Sequence, residues 1–563
     1  MAPHADDITL TELELPQDLI RLFRSFGTLS KAERTSVRNL MKDYTDQLAN
    51  HPEARTSRAA PSANPSSASV PQNDRLEKKL SALQSLFAPI RRLPPEILVE
   101  IFRNYLSPVL DHPTIQLSPT PRTLGSICSF WRTTTLSSPI LWTHVSILGE
   151  GDSYMEPDVT ARHAEGARLW MDRLGQLPWS LSIQLDLHAS SQGPSRVPLA
   201  DVLRHPATAR LRELGIIADA PVTGVEGQTF PALESLLVRW RQANHHMYSL
   251  ESVFPIVPKL KKLVVVNVIT LNSFTDKLPW SHLTHLFIEG TTFRKWRMII
   301  GLCTSLQEGC FSIEDPSHHI QEIMSSGEPI TPAVLPHLTR LTFLNRPPLQ
   351  EDFRELSFPA LEEFNIVHGS SGLDEWTFPP TLHAFQDIRR LTIAGKTEVD
   401  LPTTIFHLLE ATHSLLELRL DINCNVDQLF KFLMYDHSKV RLGLLENLDV
   451  SFTVPRPSDS SSSPLVILQE ILRSRSPEAA RRIGSVPVLQ SVAIRLRDPP
   501  VSLCDIEAAC RQMGFLNGEI NIEKERPSAP IPSITLPGDS LGGYKHWDDG
   551  LTDFLLPNGS LPD

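Results

Sequence analysis

A short leucine pattern recurs through residues 211–494 and limits the folds open to this chain more than any other feature. The pattern is L-x-x-L-x-(I/V/L/F), and its first positions lie 22, 27, 23, 23, 32, 23, 27, 27, 30 and 44 residues apart when a degenerate copy near residues 306–313 is counted. The alternating L-x-L half predicts one short strand per copy. Self-similarity at intervals of roughly 20–30 residues is the signature of stacked repeats, in which each unit buries its leucines against the next.

Prolines support the register of this pattern. In five copies a proline stands two residues before the first anchor, at Pro231, Pro258, Pro336, Pro359 and Pro487. Its fixed φ would end the segment that returns from the previous copy and set up the next strand. We therefore predict an α/β repeat domain over residues 148–523, with an irregular array because the intervals vary.

A second feature is a run of three short helices predicted over residues 90–147. Pro94 and Pro95 suit a first helical turn, where a missing N–H costs little. Behind them apolar pairs recur every four residues, at Ile97/Leu98, Ile101/Phe102 and Tyr105/Leu106. A second helix is predicted from Pro121, and a third from Pro139 to Val145. A unit of ~60 residues hides little of its surface, so the surplus of large apolar side chains suggests that a partner covers one side.

Composition divides the remaining residues. Residues 1–51 are predicted to be a helical segment with a capping box at Ser30-Lys-Ala-Glu33, residues 52–73 a disordered linker, and residues 74–89 a helix that leads into residue 90. Residues 524–563 combine six prolines with little periodicity, which predicts a disordered tail. Two interpretations of the N-terminal helices remain open, a hairpin packed on itself and a docking helix for a partner.

Charge and cysteine content exclude several classes of protein. The formal charge of −12 opposes a general nucleic-acid surface, because such binding depends on basic side chains. The six cysteines include no C-x-x-C pair, so we predict no metal site and no disulfide framework. No apolar run has the length of a membrane helix, and residues 1–50 lack the apolar core of a signal peptide. We expect an intracellular protein of the cytoplasm or nucleus, without a membrane or nucleic-acid partner.

No pattern in the sequence predicts catalysis. Ala394-Gly-Lys-Thr397 imitates the end of a phosphate-binding loop, but position 390 is arginine where that motif needs glycine. We interpret it as a loop that follows a repeat strand. The histidine pairs at 245–246 and 318–319 have no cysteine or carboxylate at ligand spacing. We predict no catalytic residue, no cofactor and no enzyme activity.

Residues 90–147 resemble an F-box, the motif through which substrate receptors of SCF ubiquitin ligases bind the Skp-family adaptor. The resemblance, of the fungal type, rests on Leu93-Pro94, Glu96, Trp131-Arg132 and Val145 together with the adaptor-binding residues that it implies. Those residues are Leu93, Pro94, Ile97, Leu98, Ile101, Phe102, Leu106, Cys128, Trp131, Pro139, Leu141 and Trp142. The connection from Ser107 to Pro119 is longer than in compact members of the family.

The leucine pattern resembles the leucine-rich repeats of F-box proteins in a loose form, because the asparagine ladder of that family is nearly absent. The fold class implied is α/β, with an N-terminal all-α three-helix F-box domain followed by an irregular leucine-rich-repeat-like solenoid. The resemblance implies a substrate-recognition subunit of an SCF-type ubiquitin ligase, which binds the Skp-family adaptor, through it cullin, and an unidentified protein substrate. Two alternatives stay open: an F-box and repeat scaffold that acts without ubiquitylation, and an enzyme with a divergent site.

The x positions of each copy point away from the leucine core and form the candidate substrate surface. Their charges alternate in sign, which favours a protein partner over a polyanion. The candidate substrate-binding residues are Lys261, Lys262, Arg340, Glu362, Glu363, Arg389, Arg390 and Arg419.

Overall fold

The structure is a computed structural model that describes a large part of the chain. The described residues are 15–24, 29–50, 72–106, 121–148, 165–185, 202–218, 228–240, 256–266, 278–313, 332–344, 353, 355–367, 385–400, 403–425, 427–434, 442–453, 470–471, 473–475, 489, 491–497 and 519–524. Most of the predicted linker, all but the first residue of the predicted tail and the connection 107–120 lie outside them. Within these ranges no helix is both long enough and apolar enough to cross a membrane.

The first of two units is helical and contains the described residues up to Thr143 together with Arg173–Leu177. A 3₁₀ turn at Pro89–Arg92 precedes the fourth helix, and another at Pro139–Trp142 ends the series. The helices are α1 Gln17–Arg24, α2 Lys31–Asn50, α3 Gln72–Ser85, α4 Pro95–Leu106, α5 Pro121–Ile127 and α6 Ser129–Ser137.

The three N-terminal helices share one core. Leu19 of α1, Val37 of α2 and Leu83 of α3 are buried against one another, with Leu86 beside them. The predicted capping box forms at the start of α2: the Ser30 backbone N–H donates to the Glu33 carboxylate at 2.6 Å, and the Glu33 N–H donates to Ser30 Oγ at 3.2 Å. These bonds to Ser30 lower the pKa of Glu33. Helices α1 and α2 thus pack on the lead-in helix α3 rather than only on each other.

The second unit contains His144–Asp172 and the chain from Pro178 onward. A fourteen-stranded sheet runs through it with every pairing parallel, in the order β1-β2-β3-β4-β5-β6-β7-β9-β11-β12-β13-β14-β15-β16. Its strands are β1 His144–Leu148, β2 Trp179–Leu185, β3 Leu211–Ala218, β4 Ser235–Trp240, β5 Lys262–Val266, β6 His285–Thr291, β7 Glu308–Ile313, β9 Arg340–Leu344, β11 Glu363–Val367, β12 Arg390–Asp400, β13 Glu417–Asn425, β14 Asn447–Thr453, β15 Ser491–Arg497 and β16 Glu519–Lys524.

Short elements complete the second unit. A small parallel pair joins two strands of two residues each, which lie between the larger ones in the chain. Those strands are β8 Ala333–Val334 and β10 Leu356–Ser357, and the helices are α7 Phe293–Leu302, α8 Thr403–Ala411 and α9 Asp427–Leu433. The mixed α/β class is therefore as expected, and the structure adds that the sheet is parallel throughout its described strands.

The register of the sheet follows the leucine pattern. Successive partners along one row have sequence intervals of 22, 27, 23, 23, 32, 23, 27, 27, 30 and 44 residues, the same intervals that separate the leucine anchors. That row is Glu213, Ser235, Lys262, His285, Glu308, Arg340, Glu363, Arg390, Glu417, Asn447 and Ser491. Each strand therefore pairs with the strand of the next copy, and equivalent residues of all copies lie side by side.

One face of the sheet carries the leucine core. Leu236, Leu263 and Leu286 are buried as direct register partners. In the middle of the sheet the core becomes aromatic, because Trp296 of α7 packs against Phe343 with a ring-centroid distance of 5.2 Å and against Phe311 at 6.0 Å. Helix α7 therefore covers the leucine face at β7 and β9.

One local prediction was right only in part, and another was wrong. The predicted third helix of residues 90–147 is a single 3₁₀ turn, and residues from His144 form edge strand β1, because Val145 alternates with polar neighbours and finds a parallel partner in β2. The phosphate-loop imitation at Ala394–Thr397 is not a loop after a strand. It lies within β12, where the strand continues and Lys396 pairs with Asn423 of β13.

We predict that a buried arginine stabilises the end of helix α9. Arg475 is almost fully buried, and it donates from Nε to the Leu433 carbonyl at 3.2 Å and from a terminal nitrogen to the Leu442 carbonyl at 3.1 Å. Arg475→Met leaves both carbonyls without this donor and should lower the free energy of unfolding by ~2 kcal/mol. Urea denaturation measures the change. The exposed Arg473→Met is the control, and equal effects of the two variants would refute the role of Arg475.

Candidate interaction surfaces

Helix α4 divides its apolar residues between two faces. Leu98 and Phe102 are buried, whereas Ile97, Ile101 and Tyr105 are 50%, 40% and 53% exposed. The exposed residues are spaced four apart, so they form one stripe along the helix. Each predicted apolar pair thus has one member inside the unit and one in water, except that Leu106 is half-buried.

The exposed stripe has counterparts on the neighbouring elements of the helical unit. Ile127 at the end of α5, Leu136 in the last turn of α6 and Ile140 in the 3₁₀ turn are also exposed. We call these six residues the exposed apolar set: Ile97, Ile101, Tyr105, Ile127, Leu136 and Ile140. Six large apolar side chains in so small a unit are unusual for a surface that meets only water, and such surfaces mark interaction sites.

Aromatic and capping contacts hold the elements that carry this set. The Phe102 and Trp131 rings lie 4.7 Å apart, joining α4 to α6. Cys128 is the N-cap of α6, and its Sγ accepts from the Trp131 N–H at 3.5 Å. The buried Trp142 donates from Nε1 to the Thr135 carbonyl at 2.8 Å, which ties the 3₁₀ turn to α6.

The predicted adaptor-binding residues therefore separate into two groups. Four of them form the core of the helical unit, namely Leu98, Phe102, Leu141 and Trp142. The others are exposed or half-buried, namely Leu93, Pro94, Ile97, Ile101, Leu106, Cys128, Trp131 and Pro139. Sequence reasoning missed Leu136 and Ile140. In the sequence they are simply two more apolar residues. Only the packing shows that Leu136 is exposed while its neighbours Thr134 and Thr135 are buried, and that Ile140 is exposed while Leu141 is buried.

The second candidate surface is the face of the sheet opposite the leucine core. Along its charged row, Glu363 of β11 lies between two arginines, with Arg340 Nε and a terminal nitrogen of Arg390 each 3.0 Å from a carboxylate oxygen. Arg340 also reaches Glu308 of β7 at 3.5 Å. These four residues, Glu308, Arg340, Glu363 and Arg390, form a ladder of alternating charge across four neighbouring strands, which we call the charge ladder.

Further ion pairs flank the charge ladder. Two residues further along the strands than the ladder's row, Arg419 of β13 pairs with Asp449 of β14 at 3.6 Å. At the residue before the strands, Lys261 pairs with Glu234 at 3.7 Å. The ladder therefore joins three of the predicted substrate-binding residues, Arg340, Glu363 and Arg390. The other five do not belong to the ladder. Lys262 and Arg419 lie on other strands, Lys261 directly precedes β5, and Glu362 and Arg389 directly precede the ladder residues Glu363 and Arg390.

His285 of β6 lies next to Glu308 in the same row and is uncharged at neutral pH. Burial lowers the pKa of His285 to about 4, and the nearby Lys262 and Arg340 act in the same direction. Burial also raises the pKa of Glu308, which Arg340 opposes. At neutral pH His285 is therefore uncharged, and Arg340 is the cation that pairs with Glu308.

Part of this second face is apolar, which the sequence analysis did not predict. Val264, Val266, Phe287 and Cys310 of strands β5, β6 and β7 form a cluster, with Leu237 and Leu344 packed against it. Leu237, Val264, Phe287 and Cys310 occupy x positions that the leucine pattern assigns to solvent, and Val266 and Leu344 directly follow the last anchor of their copies. The second face therefore carries an apolar cluster on β5, β6 and β7 next to the charged row, and its described ion pairs lie from β7 onward.

Reactive side chains in the described residues have the chemistry of structural ones. Burial raises the pKa of Cys303 to about 12 and also raises that of Cys310, so neither thiol ionises near neutral pH. No three histidine, cysteine or carboxylate side chains there could hold a metal ion together. His144 Nδ1 lies 2.5 Å from Ser180 Oγ, but Glu213 is on the strand beyond the serine, whereas a charge relay needs the acid beside the histidine.

Comparison with known proteins adds no relative: no family model matches the chain, and no curated protein matches it.

Proposed function

We propose that this chain is the substrate-recognition subunit of an SCF-type ubiquitin ligase. The segment from Leu93 to Trp142 would act as an F-box that binds the Skp-family adaptor, and through it cullin. The sheet unit would act as a leucine-rich-repeat-like domain that holds a protein target. Ubiquitin transfer would then depend on proximity, with the reactive cysteine elsewhere in the assembly.

The exposed apolar set is the observation that carries the proposal. Its stripe on α4 begins directly after Leu93-Pro94, the residues at which the F-box resemblance starts. Full burial of one such aliphatic side chain is worth roughly 1.5–3 kcal/mol. A protein partner that covers Ile97, Ile101 and Tyr105 therefore has a large apolar contribution to affinity available.

The core residues of the helical unit have a different part in the proposal. Leu98, Phe102, Leu141 and Trp142 would support the docking surface from beneath rather than touch the adaptor. The proposal therefore assigns direct contact to Ile97 and Ile101, and it adds Tyr105, Leu136 and Ile140 to the adaptor-binding residues.

The sheet supports the second half of the proposal. Its strands follow chain order, all pairings are parallel, and register partners occupy equivalent positions of the leucine pattern. Repeat proteins of this kind present rows of side chains from successive strands to a partner. The charge ladder is such a row.

We expect Ile97→Glu/Ile101→Glu to reduce affinity for a purified Skp-family adaptor at least ~100-fold, because two contact residues would place charges in an apolar interface. Isothermal titration calorimetry measures the change, and circular dichroism checks the fold. The control is Val334→Glu/Leu444→Glu, which changes two equally exposed apolar residues of the sheet unit. Unchanged adaptor affinity in the Ile97/Ile101 variant would remove the basis for the docking assignment.

A second experiment separates the ligase from a scaffold without ubiquitylation. The chain, the adaptor and cullin are mixed and resolved by size-exclusion chromatography. A complex that contains all three supports the ligase proposal. An adaptor complex that never takes up cullin supports the scaffold.

A further inference from the structure

The charged half of the second face has an uneven distribution of exposure. Arg390 is 50% exposed and its partner Glu363 only 16%, while Arg419 and Asp449 are 51% and 22% exposed. The Arg340 side chain is likewise more exposed than those of Glu308 and Glu363. In each of these pairs the carboxylate side chain is more buried than the arginine side chain that it contacts.

This arrangement prepares the arginines for a ligand. A guanidinium has five N–H donors, and the one or two carboxylates paired with each of these arginines use only some of them. The carboxylate also holds the long side chain in place, so less rotamer freedom remains to be lost on binding. A partner that approaches from solvent therefore meets oriented cationic groups first, although the ladder is neutral in total.

We propose that Arg340, Arg390 and Arg419 bind an extended peptide segment that carries separate carboxylates. Arg340 and Arg390 stand two strands apart, a separation of ~10 Å at the usual strand spacing. Three residues of a peptide in the extended polyproline-II conformation make one full turn and span ~9 Å, so side chains three residues apart point to the same side. The surface therefore fits acidic side chains at every third residue. The assignment of this segment to a ubiquitylation target rests on the proposed function.

Exposed carboxylates beside the arginines limit what else can bind. Glu417 follows Arg390 along the charged row, Glu362 comes directly before Glu363 and β11, and both glutamates are exposed. A continuous polyanion would meet these carboxylates, whereas a peptide with spaced acids can avoid them. The formal charge of −12 on the whole chain also repels a polyanion at longer range.

The test uses the full chain and a defined probe, the fluorescein-labelled peptide (Glu-Gly-Ser)₄, which has one acid in every three residues. Fluorescence anisotropy at low salt measures binding, because screening weakens exposed charge pairs. The peptides (Gln-Gly-Ser)₄ and (Lys-Gly-Ser)₄ and a single-stranded 12-nucleotide DNA are the comparisons. We expect the Glu peptide to bind at least about tenfold more tightly than each of them.

Variants locate the binding. Removal of the arginines alone would leave Glu363 unpaired, so the main variant is Arg340→Gln/Glu363→Gln/Arg390→Gln, which we expect to weaken Glu-peptide binding about tenfold. The control Lys259→Gln/Lys431→Gln changes the total charge more but lies off this face, and we expect less than about a twofold effect. Glu417→Gln removes a repelling carboxylate and should strengthen binding about two- to fivefold.

Three results would overturn the inference: equal binding of the Glu and Gln peptides, tighter binding of the DNA, or equal losses in the triple variant and the lysine control. The adaptor experiment is independent of all three. Adaptor binding with no peptide binding would leave the proposed function intact and remove this inference, and the reverse result would leave the arginine surface intact without the ligase.

Discussion

Trp296→Ala is expected to lower the free energy of unfolding by ~3–5 kcal/mol, the largest stability effect that we predict for a single substitution. The Trp296 side chain is completely buried, and its ring lies 5.2 Å from Phe343, 5.8 Å from Phe353 and 6.0 Å from Phe311. Alanine would leave a cavity where α7 meets β7 and β9, and rings held by contacts with one another cannot collapse fully into it. Urea denaturation followed by far-UV circular dichroism measures the loss.

Met298→Ala on the same helix is the matched control. Met298 is exposed, so its truncation should change stability by no more than ~0.5 kcal/mol. Trp296→Phe adds a second comparison: the indole N–H is buried and makes no hydrogen bond within the described residues, so phenylalanine keeps ring contacts without losing one. Similar costs for Trp296→Ala and Met298→Ala would show that the aromatic core does not stabilise the sheet unit as argued.

Gly309→Leu should destabilise the chain by ~3 kcal/mol, although it restores the residue that the repeat pattern favours. Gly309 pairs in register with Leu286 and Leu341, both buried leucines of neighbouring copies. A Cβ at Gly309 would lie 2.8 Å from Cε2 of Phe311. The Phe311 ring fills the place of the absent leucine, and it cannot retreat because it is buried against Trp296 and Phe343.

A second substitution tests this explanation. Phe311→Leu shortens the obstructing side chain, so Gly309→Leu should cost less in the Phe311→Leu background than in the native chain. Gly215→Ala in β3 is the control, since its Cβ would meet only Ser182 Oγ at 3.9 Å and a strand glycine replaced by alanine normally gains stability. If Gly309→Leu stabilised the chain, the exchange of leucine for the Phe311 ring would be the wrong account.

The same contact explains why one copy of the leucine pattern was degenerate in the sequence. The pattern at Leu306, Gly309 and Phe311 lacks its central leucine, yet β7 keeps its place between β6 and β9. A phenylalanine two residues along supplies the missing volume from the same strand face. In the sequence this copy matches the leucine pattern only weakly. In the structure Gly309 and Phe311 together fill the volume that a leucine occupies in the other copies.

The charge ladder was predictable only in part. The leucine pattern placed Arg340, Glu363 and Arg390 on the face away from the leucines, and equal offsets from their anchors implied that they would be neighbours. Which arginine contacts which carboxylate, and which of the two is more exposed, depends on side-chain burial, which periodicity does not report. The apolar cluster of Val264, Phe287 and Cys310 on the same face was missed for that reason.

By itself the sequence determined the order and spacing of the strands, because a strand of period two with a leucine face can bury that face only against an equivalent neighbour. It also determined that α4 carries more apolar surface than a small helical unit can bury. Tertiary structure alone decided which member of each apolar pair is exposed: Leu98 and Phe102 face the Trp131 side of the unit, and Ile97 and Ile101 face water. Both members of a pair are equally apolar, so only the position of the neighbouring helix decides which member is exposed and which lies in the core.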